Sequence, residues 1–246
     1  HHVTFQLEMP EENYHLSNFA GFVIGDGQKW IVSRDASLLQ SAPLKKILTS
    51  DQYTKDVFNA KAQIVGLHRL GIELDYVAFD LLLAAYLVDP SDNGNDLGEL
   101  AHAYDYYDVQ TDEEVYGKGV KRAIPDDDQT FFTHLAQKAR AIHELRAPVY
   151  EKLKEHEQMP LYEDIELPLT YLLAKMEIAG IRVNAQTLKE MGSKLKERLA
   201  EIEQVIYQEA GEEFNINSTK QLGEILFDKM KLPVIKKTRT GYSTAV

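Results

Sequence analysis

Two kinds of hydrophobic periodicity occur along the chain, and the change between them falls near residue 131. Before residue 90, short apolar or alternating runs predict β-strands at 3–9, 20–26, 29–33, 54–60 and 76–80. Apolar positions at helical spacing predict helices at 62–71 and 81–89. Strands that alternate with helices predict an α/β fold, in which helices cover the faces of a sheet.

From residue 131 onwards the pattern is helical. Three long helices are predicted, the first with a kink at its internal Pro148, and they cover 131–158, 161–179 and 185–210. Asn184 and Ser218 have the residue type and position of N-caps, so the third helix is expected to begin after Asn184 and a fourth after Ser218.

The domain organisation follows from these patterns. Residues 91–130 are rich in turn-forming residues and are expected to be irregular surface structure. We predict an α/β domain over residues 1–158 and an all-α segment over residues 159–246. Because two long helices cannot bury all of their apolar faces alone, and the chain stops without a terminating element, we expect a fragment of a longer protein.

Composition and charge exclude some classes of protein. The 246 residues include no cysteine, which excludes a disulfide scaffold and a thiol nucleophile. Apolar runs are far shorter than the roughly 20 residues that span a bilayer, so no membrane partner is expected. The net charge of −12 argues against nucleic-acid binding, but residues 229–246 contain five basic residues and no acidic one. Net charge therefore does not settle the partner.

The common catalytic motifs are absent from the sequence. It contains no glycine-rich phosphate loop, no G-x-S-x-G and no H-E-x-x-H pattern. The scattered histidines are expected to be surface or hydrogen-bonded structural residues. The acidic clusters at 11–12, 112–114, 126–128 and 212–213 are expected to be solvated loops and caps. From the residues alone, the chain is a soluble α/β domain with a helical extension that ends in a basic segment.

Three long stretches carry a resemblance to a known family. The run GEEFNINSTKQLGEILFDKMKLPVIKKTRTGYST at 211–244 resembles part of the thumb of family A bacterial DNA polymerases. The runs at 71–90 and 114–129 resemble the preceding 3′–5′ exonuclease domain, most of all in the Bacillus-like and lactic-acid-type enzymes. The resemblance implies an RNase H-like mixed sheet flanked by helices, followed by an all-α thumb segment.

Active exonuclease domains of this family hold two divalent metal ions with four carboxylates from three motifs, and this sequence departs from each motif. In the first motif, Asp-x-Glu, the aspartate position is Gln6 and the glutamate is Glu8. In the second, the aspartate position is Gln63. In the third, His134 matches the aromatic or histidine position, and the aspartate four residues later is Lys138.

These replacements change the charge of the expected metal site. Four carboxylates would carry four negative charges, whereas Glu8, Lys138 and the two glutamines carry a net charge of zero. A lysine repels a dication, so we expect no metal in this chain and a vestigial exonuclease with a filled or collapsed cleft. A shift of the first motif towards Glu11 or Glu12 would not repair the other positions. Asp80 lies outside the three motifs and is expected to be structural.

The thumb resemblance implies contacts with primer–template DNA. Backbone amides, hydroxyls and cations position a duplex without reading its sequence, and both the helix start near Ser218 and the basic segment supply them. The implied DNA-binding residues are Asn217, Ser218, Thr219, Lys220, Lys236, Lys237, Thr238, Arg239, Thr240, Ser243 and Thr244.

The resemblance also implies a parent protein. It would be a DNA-directed DNA polymerase of replication and repair in the bacterial cytoplasm, associated with the nucleoid, that uses Mg²⁺. The palm and fingers motifs are absent, so this chain alone is expected to polymerise nothing and to have the rest of the polymerase chain as its partner. Two alternatives stay open: an active metal-dependent 3′–5′ exonuclease with relocated carboxylates, and a DNA-binding module without catalysis.

Overall fold

A five-stranded mixed sheet forms the centre of the first part of the chain. The structure is a computed structural model, and it describes residues 1–91, 94–238 and 241–244. The sheet order is β3-β2-β1-β4-β5; β1 pairs antiparallel with β2 and parallel with β4. The strands are β1 (His2–Glu8), β2 (Gly21–Gly25), β3 (Trp30–Ser33), β4 (Thr54–Val57) and β5 (Val77–Asp80). Each of the five predicted strands is therefore present.

Helices pack around this sheet. The long helix α6 contacts β1, β2, β3 and β4, and α2 packs against β1 and against α8. The helix α6 stays continuous through Pro148. The helices of this part are α1 (Ala42–Thr49), α2 (Ala60–Arg69), α3 (Leu81–Val88), α4 (Leu97–Ala103), α5 (Asp112–Tyr116), α6 (Asp128–Glu155), α7 (Met159–Leu161) and α8 (Leu167–Ala179), with 3₁₀ turns at Ala36–Gln40 and Gly119–Lys121 and a π-helical turn at Tyr162–Glu166.

The segment expected to be irregular contains defined helices. It holds α4, α5 and a 3₁₀ turn, so that expectation was wrong in part. The helix α5 begins with a capping box in which the Thr111 hydroxyl accepts from Glu114 N, and the Glu114 carboxylate accepts from Thr111 N. The first helical residue, Asp112, donates its backbone N–H to the carboxylate of Asp96, which also caps α4. Local capping therefore fixes where α5 begins.

Three tyrosine hydroxyls form hydrogen bonds with the backbone of β5, the edge strand of the sheet. Tyr162 accepts from the backbone N–H of Asp80 at 2.8 Å, and Tyr171 accepts from that of Val77 at 2.9 Å. Tyr150 donates to the carbonyl of Ala78 at 3.0 Å. An edge strand leaves backbone groups unpaired, so side chains from the helices that follow satisfy three of them here.

The contacts divide the chain into two compact units, His1–Gly180 and Ile181–Val246. The second contains α9 (Ala185–Ala210), α10 (Thr219–Gly223), a π-helical turn (Glu224–Lys229) and a hairpin of β6 (Lys237–Thr238) and β7 (Gly241–Tyr242). Asn184 caps α9 and Ser218 caps α10, as predicted. Among the described residues, no helix is both long and apolar enough to cross a membrane.

Candidate functional site

A buried ion pair joins the end of β1 to the middle of α6. The ammonium nitrogen Nζ of Lys138 lies 3.0 Å from each carboxylate oxygen of Glu8. Both residues are almost completely buried, Glu8 at 3% and Lys138 at 5% exposure. The structure thus brings together two of the residues at the expected metal-site positions, although they are 130 residues apart.

Asp112, the first residue of α5, completes this pair and was missed by the sequence analysis. Its Oδ1 lies 2.8 Å from Lys138 Nζ and 2.8 Å from Nε2 of His134. The acidic cluster at 112–114 was expected to be solvated, and for Asp112 that expectation was wrong. The Thr111–Glu114 capping box was the local signal in this segment. It predicts where a helix starts, but it does not indicate which residues Asp112 contacts.

Two further side chains of the 109–122 region surround the ion pair. The buried Tyr116 donates its hydroxyl to Glu8 at 3.0 Å, and its ring lies 5.7 Å from Lys138 Nζ. Arg122 reaches Oδ2 of Asp112 at 3.6 Å. With two carboxylates and two cations, the cluster is neutral overall, which is the condition under which buried charges are tolerated.

The ionisation of the cluster follows from these contacts. Burial opposes the charge on Asp112, but the ammonium of Lys138 and the imidazole of His134 lower the pKa of its carboxyl below the usual range. Burial likewise opposes the charge on Lys138, but Glu8 and Asp112 raise its pKa above the usual range. Burial and the neighbouring carboxylates also raise the pKa of Tyr116, so its hydroxyl stays protonated and donates. Asp112 and Lys138 therefore stay charged at neutral pH.

His134 contributes as a hydrogen-bonding group. Its Nε2 faces the carboxylate of Asp112, so the ring proton lies on Nε2. Its Nδ1 has no partner among the residues that the structure describes. His134 therefore has a structural contact with Asp112, as expected for a hydrogen-bonded histidine.

The two glutamines at the other expected metal positions bind backbone atoms instead. Gln63 accepts from Leu7 N at 2.6 Å and donates to Leu7 O at 3.2 Å. Gln6 accepts from the backbone N–H of Phe58 at 3.2 Å. The pairing of β1 with β4 covers only residues 2–4 of β1, so beyond that point the backbone needs other partners. The amide side chains supply them.

A cleft lies beside these residues. It has a volume of about 1280 Å³, and its lining includes Gln6, Glu8, Gln63, Asp112, Tyr116 and Lys138. The expectation of a filled or collapsed cleft was therefore wrong for the cleft as a whole, which is open. What is filled is the space between the carboxylates of Glu8 and Asp112, where the ammonium of Lys138 lies.

The nearby acidic residues that a shifted motif would recruit are not part of the ion-pair cluster. Glu11 is exposed, and its carboxylate accepts hydrogen bonds from the hydroxyl of Ser17 and from Asn18 N. Glu12 is exposed as well. Glu11 therefore closes its own loop. Both glutamates line the cleft, and among the described residues neither is hydrogen-bonded into the ion-pair cluster of Lys138.

Asp80 has a structural role, as expected. Its carboxylate accepts from the backbone N–H groups of Asn59 and Ala60 at 2.9 and 2.8 Å and caps α3 through Leu82 and Leu83. Burial raises the pKa of Asp80 to about 6, although these backbone hydrogen bonds oppose the shift. The side chain fixes where β5 ends, α2 begins and α3 begins.

Two protein-family models match this chain. Residues 5–145 match the model of the family described as "DNA polymerase I, ribonuclease H-like domain", and residues 185–246 match that of "DNA polymerase family A". The chain belongs to the DNA polymerase I family. The predicted RNase H-like α/β fold with a helical segment after it is confirmed.

Relatives of this family match nearly the whole chain. DNA polymerase I of Bacillus subtilis is 42% identical over 242 residues, which are 98% of this chain and 27% of the relative. DNA polymerase I of Lactococcus lactis subsp. cremoris is 45% identical over 242 residues, or 98% and 26%. The chain thus spans about a quarter of the length of these relatives. The resemblance to Bacillus and lactic-acid-type enzymes is confirmed.

A solved structure gives the same result for the fold. The polymerase domain of Pol1 from M. smegmatis, in complex with DNA primer-template and dNTP, superimposes with a TM-score of 0.71 at 25% identity. The match covers 99% of this chain and 40% of that one.

The residues at the expected exonuclease site do not fit two divalent metals. A two-metal site needs several anionic oxygen ligands around ions about 3.5–4 Å apart. Here Lys138 binds the carboxylates of Glu8 and Asp112, and the glutamines at two further motif positions are bound to backbone. Within the described residues, no group of three His, Asp or Glu side chains has the arrangement of a metal site.

The predicted DNA-binding residues lie in the second unit, on two neighbouring elements. Asn217, Thr219 and Lys220 are exposed at the start of α10, and the hydroxyl of Ser218 accepts from Gln221 N. The helix α10 packs against β7 of the hairpin. Ser243 N donates to the carbonyl of the exposed Lys236, and Thr244 is half-buried. The backbone of Lys237 and Thr238 forms β6, while Arg239 and Thr240 lie outside the described residues.

Proposed function

We propose that this chain is part of a bacterial DNA-directed DNA polymerase of replication and repair. Residues 1–158 would supply a proofreading-type domain without catalysis, and residues 159–246 the beginning of the polymerase domain. The match of residues 185–246 to the family A polymerase model supports the second part. The parent enzyme would use Mg²⁺, as family A polymerases do, and would act at the nucleoid in the cytoplasm.

The observation that carries the absence of exonuclease activity is the position of Lys138. Its ammonium contacts both Glu8 and Asp112, so the carboxylates that a metal would need are already neutralised. A divalent cation entering this space would have to displace a buried ammonium and would then lack the further carboxylates replaced by Gln6 and Gln63. Metal-dependent hydrolysis of a phosphodiester at this cleft is therefore not supported.

One observation favours the alternative of an active exonuclease. Asp112 is a carboxylate that faces the cleft from outside the three motifs, as a relocated ligand would. Against it stands the hydrogen bonding of Asp112 to Lys138 and His134, which uses the Oδ1 oxygen. If such an activity exists, replacement of Asp112 or of Glu8 should abolish it.

The role left for the α/β domain is that of a platform for the polymerase module. Its core is large, with two buried hydrophobic clusters, and the hydroxyl of Tyr150 closes the sheet edge together with those of Tyr162 and Tyr171 from the segment that follows. The second unit has an apolar surface of its own. A stripe of exposed apolar residues runs along its helix α9, at Leu188, Met191, Leu195, Leu199, Ile202 and Val205. An exposed apolar stripe at helical spacing needs a partner, for which the remainder of the polymerase chain is our proposal.

The second unit would bind the backbone of primer–template DNA. Lys220 and Lys236 are exposed, and the amides and hydroxyls near them suit phosphate oxygens. The solved relative that contains DNA primer-template supports this role. Contacts of this kind position a duplex and make its affinity depend on salt.

An end-trimming assay with divalent metals tests the proposed loss of catalysis. The chain is incubated with a 3′-end-labelled single strand in Mg²⁺ or Mn²⁺, and metal binding is followed by calorimetric titration. We expect neither release of mononucleotides nor metal binding. Metal-dependent release that is abolished by Glu8→Ala or by Asp112→Ala, and unaffected by Glu151→Ala at an exposed glutamate that does not line the cleft, would establish the relocated active site and refute the proposal.

A further inference from the structure

The segment Val109–Arg122, here called the cleft wall, carries several of the residues that line the cleft. It contains α5 and the 3₁₀ turn that follows, and Asp112, Tyr116 and Arg122 of the wall all line the cleft. Its own backbone is closed locally, with Ala123 N donating to Tyr116 O at 2.8 Å. The contacts that attach the wall to the sheet and to α6 come from side chains.

Lys138 is the point at which the wall, β1 and α6 meet. Its Nζ makes three hydrogen bonds, two to Glu8 of β1 and one to Asp112 of the wall. Tyr116 adds a second link from the wall, but it ends on the same Glu8 carboxylate. His134 provides the third link and ends on Asp112. These side-chain links from α5 thus depend on two carboxylates that share one ammonium.

Those two carboxylates would repel each other without a cation between them. Glu8 is buried and Asp112 is mostly buried, so the repulsion would be weakly screened by water. Arg122 balances only the outer oxygen of Asp112, at 3.6 Å. Two buried carboxylates this close together require a cation between them, and the structure supplies it from α6 as the ammonium of Lys138.

We propose that Lys138 is a built-in cation that holds the cleft wall against β1 and α6 without any metal ion. This inference deepens the proposed function and rests on its absence of bound metal. Lys138 then has a structural role of its own. The residue that prevents metal binding also joins the wall to β1 and α6, as carboxylates bridged by a metal ion would. The wall should be ordered equally well with and without divalent cations.

Hydrogen exchange of the full chain tests this proposal at two amides: that of Gly117, which donates to Glu113 within the wall, and that of Ala123, which donates to Tyr116 of the wall. In the wild type, we expect the same exchange rates in Mg²⁺ and in EDTA. In Lys138→Met, we expect these amides to exchange at least about tenfold faster, because buried carboxylates lose their partner. Lys154→Met is the matched control, since Lys154 lies on the same helix but is exposed.

A double variant keeps the test decisive if the single variant does not fold. Lys138→Met with Glu8→Gln removes both partners of the buried pair and leaves an amide that Tyr116 can still contact. We expect it to fold and its wall amides to exchange faster than those of Lys154→Met. Equal exchange in these two variants would overturn the proposal, as would slower exchange of the wild-type wall in Mg²⁺ than in EDTA. The end-trimming assay, run separately, reports on the proposed loss of catalysis and not on the wall.

Discussion

Removal of the Tyr162 hydroxyl tests how the edge of the sheet is closed. Tyr162 is fully buried, and its oxygen accepts the backbone N–H of Asp80 at 2.8 Å. In Tyr162→Phe the ring would remain, including its edge-to-face contact with Tyr150 at 6.0 Å between ring centroids. Only the acceptor is lost, and the N–H of Asp80 then lies buried without a partner.

The expected loss of stability depends on which backbone group each substitution leaves without a hydrogen-bond partner. A buried donor without a partner costs about 1–3 kcal/mol, so Tyr162→Phe should destabilise the fold by about 2 kcal/mol. Tyr150→Phe is the matched variant, because it removes a donor to the Ala78 carbonyl from a side chain that is only half-buried. That change should cost about 0.5–1.5 kcal/mol, the net value of an ordinary hydrogen bond.

Urea unfolding and hydrogen exchange together measure this prediction. Urea midpoints at unchanged m-value give the loss of stability, and exchange of the Asp80 amide locates it. The Asp80 amide should exchange roughly 2- to 13-fold faster in Tyr162→Phe than in Tyr150→Phe, which is the difference of about 0.5–1.5 kcal/mol between the two costs. A cost below about 0.5 kcal/mol for Tyr162→Phe, or equal costs for the two variants, would refute the argument that the hydroxyl is a required partner of the edge strand.

Two further predictions concern pH and salt. Burial raises the pKa of Asp56 to about 7, although Arg146 opposes the shift. The folded state therefore keeps a proton that the unfolded state loses near pH 4. As pH rises from 4 to 7, the free energy of unfolding of the wild type should fall by about 2–4 kcal/mol relative to that of Asp56→Asn. Urea unfolding at several pH values measures this difference, and a difference that stays constant with pH would contradict the prediction. For duplex DNA, about three phosphate contacts predict a slope near −2.7 in a plot of log K against log salt, and Lys220→Ala should make it shallower by about 0.9. Lys45→Ala, an exposed lysine of the first unit, should leave the slope unchanged in the same binding titration, and an equal change in both variants would show that the contact is non-specific.

The elements themselves could be predicted because their signals are local. The alternation of the first five strands, the helical period of α6 and the caps at Asn184 and Ser218 each lie within a few residues of the structure they specify. Segment 91–130 was predicted poorly, because its short helices depend on caps such as Thr111 and Asp96 rather than on a long apolar period.

The candidate site was predictable only in part. The changes at Gln6, Gln63 and Lys138 were visible as departures from the resemblance, and the structure places Lys138 beside Glu8. The loss of the metal site stays a prediction. Sequence could not show that the two glutamines bind the backbone of Leu7 and Phe58, since this need arises only where β1 separates from β4.

By itself, the sequence determined the order of strands and helices and the family, because periodicity, caps and motifs lie in neighbouring residues. Tertiary structure alone decided that Asp112 joins Glu8 at Lys138, that Tyr162 closes the sheet edge, and that the cleft stays open. These contacts join residues 26 to 130 positions apart. Their strength depends on burial and exact distance, which exist only after the chain has packed.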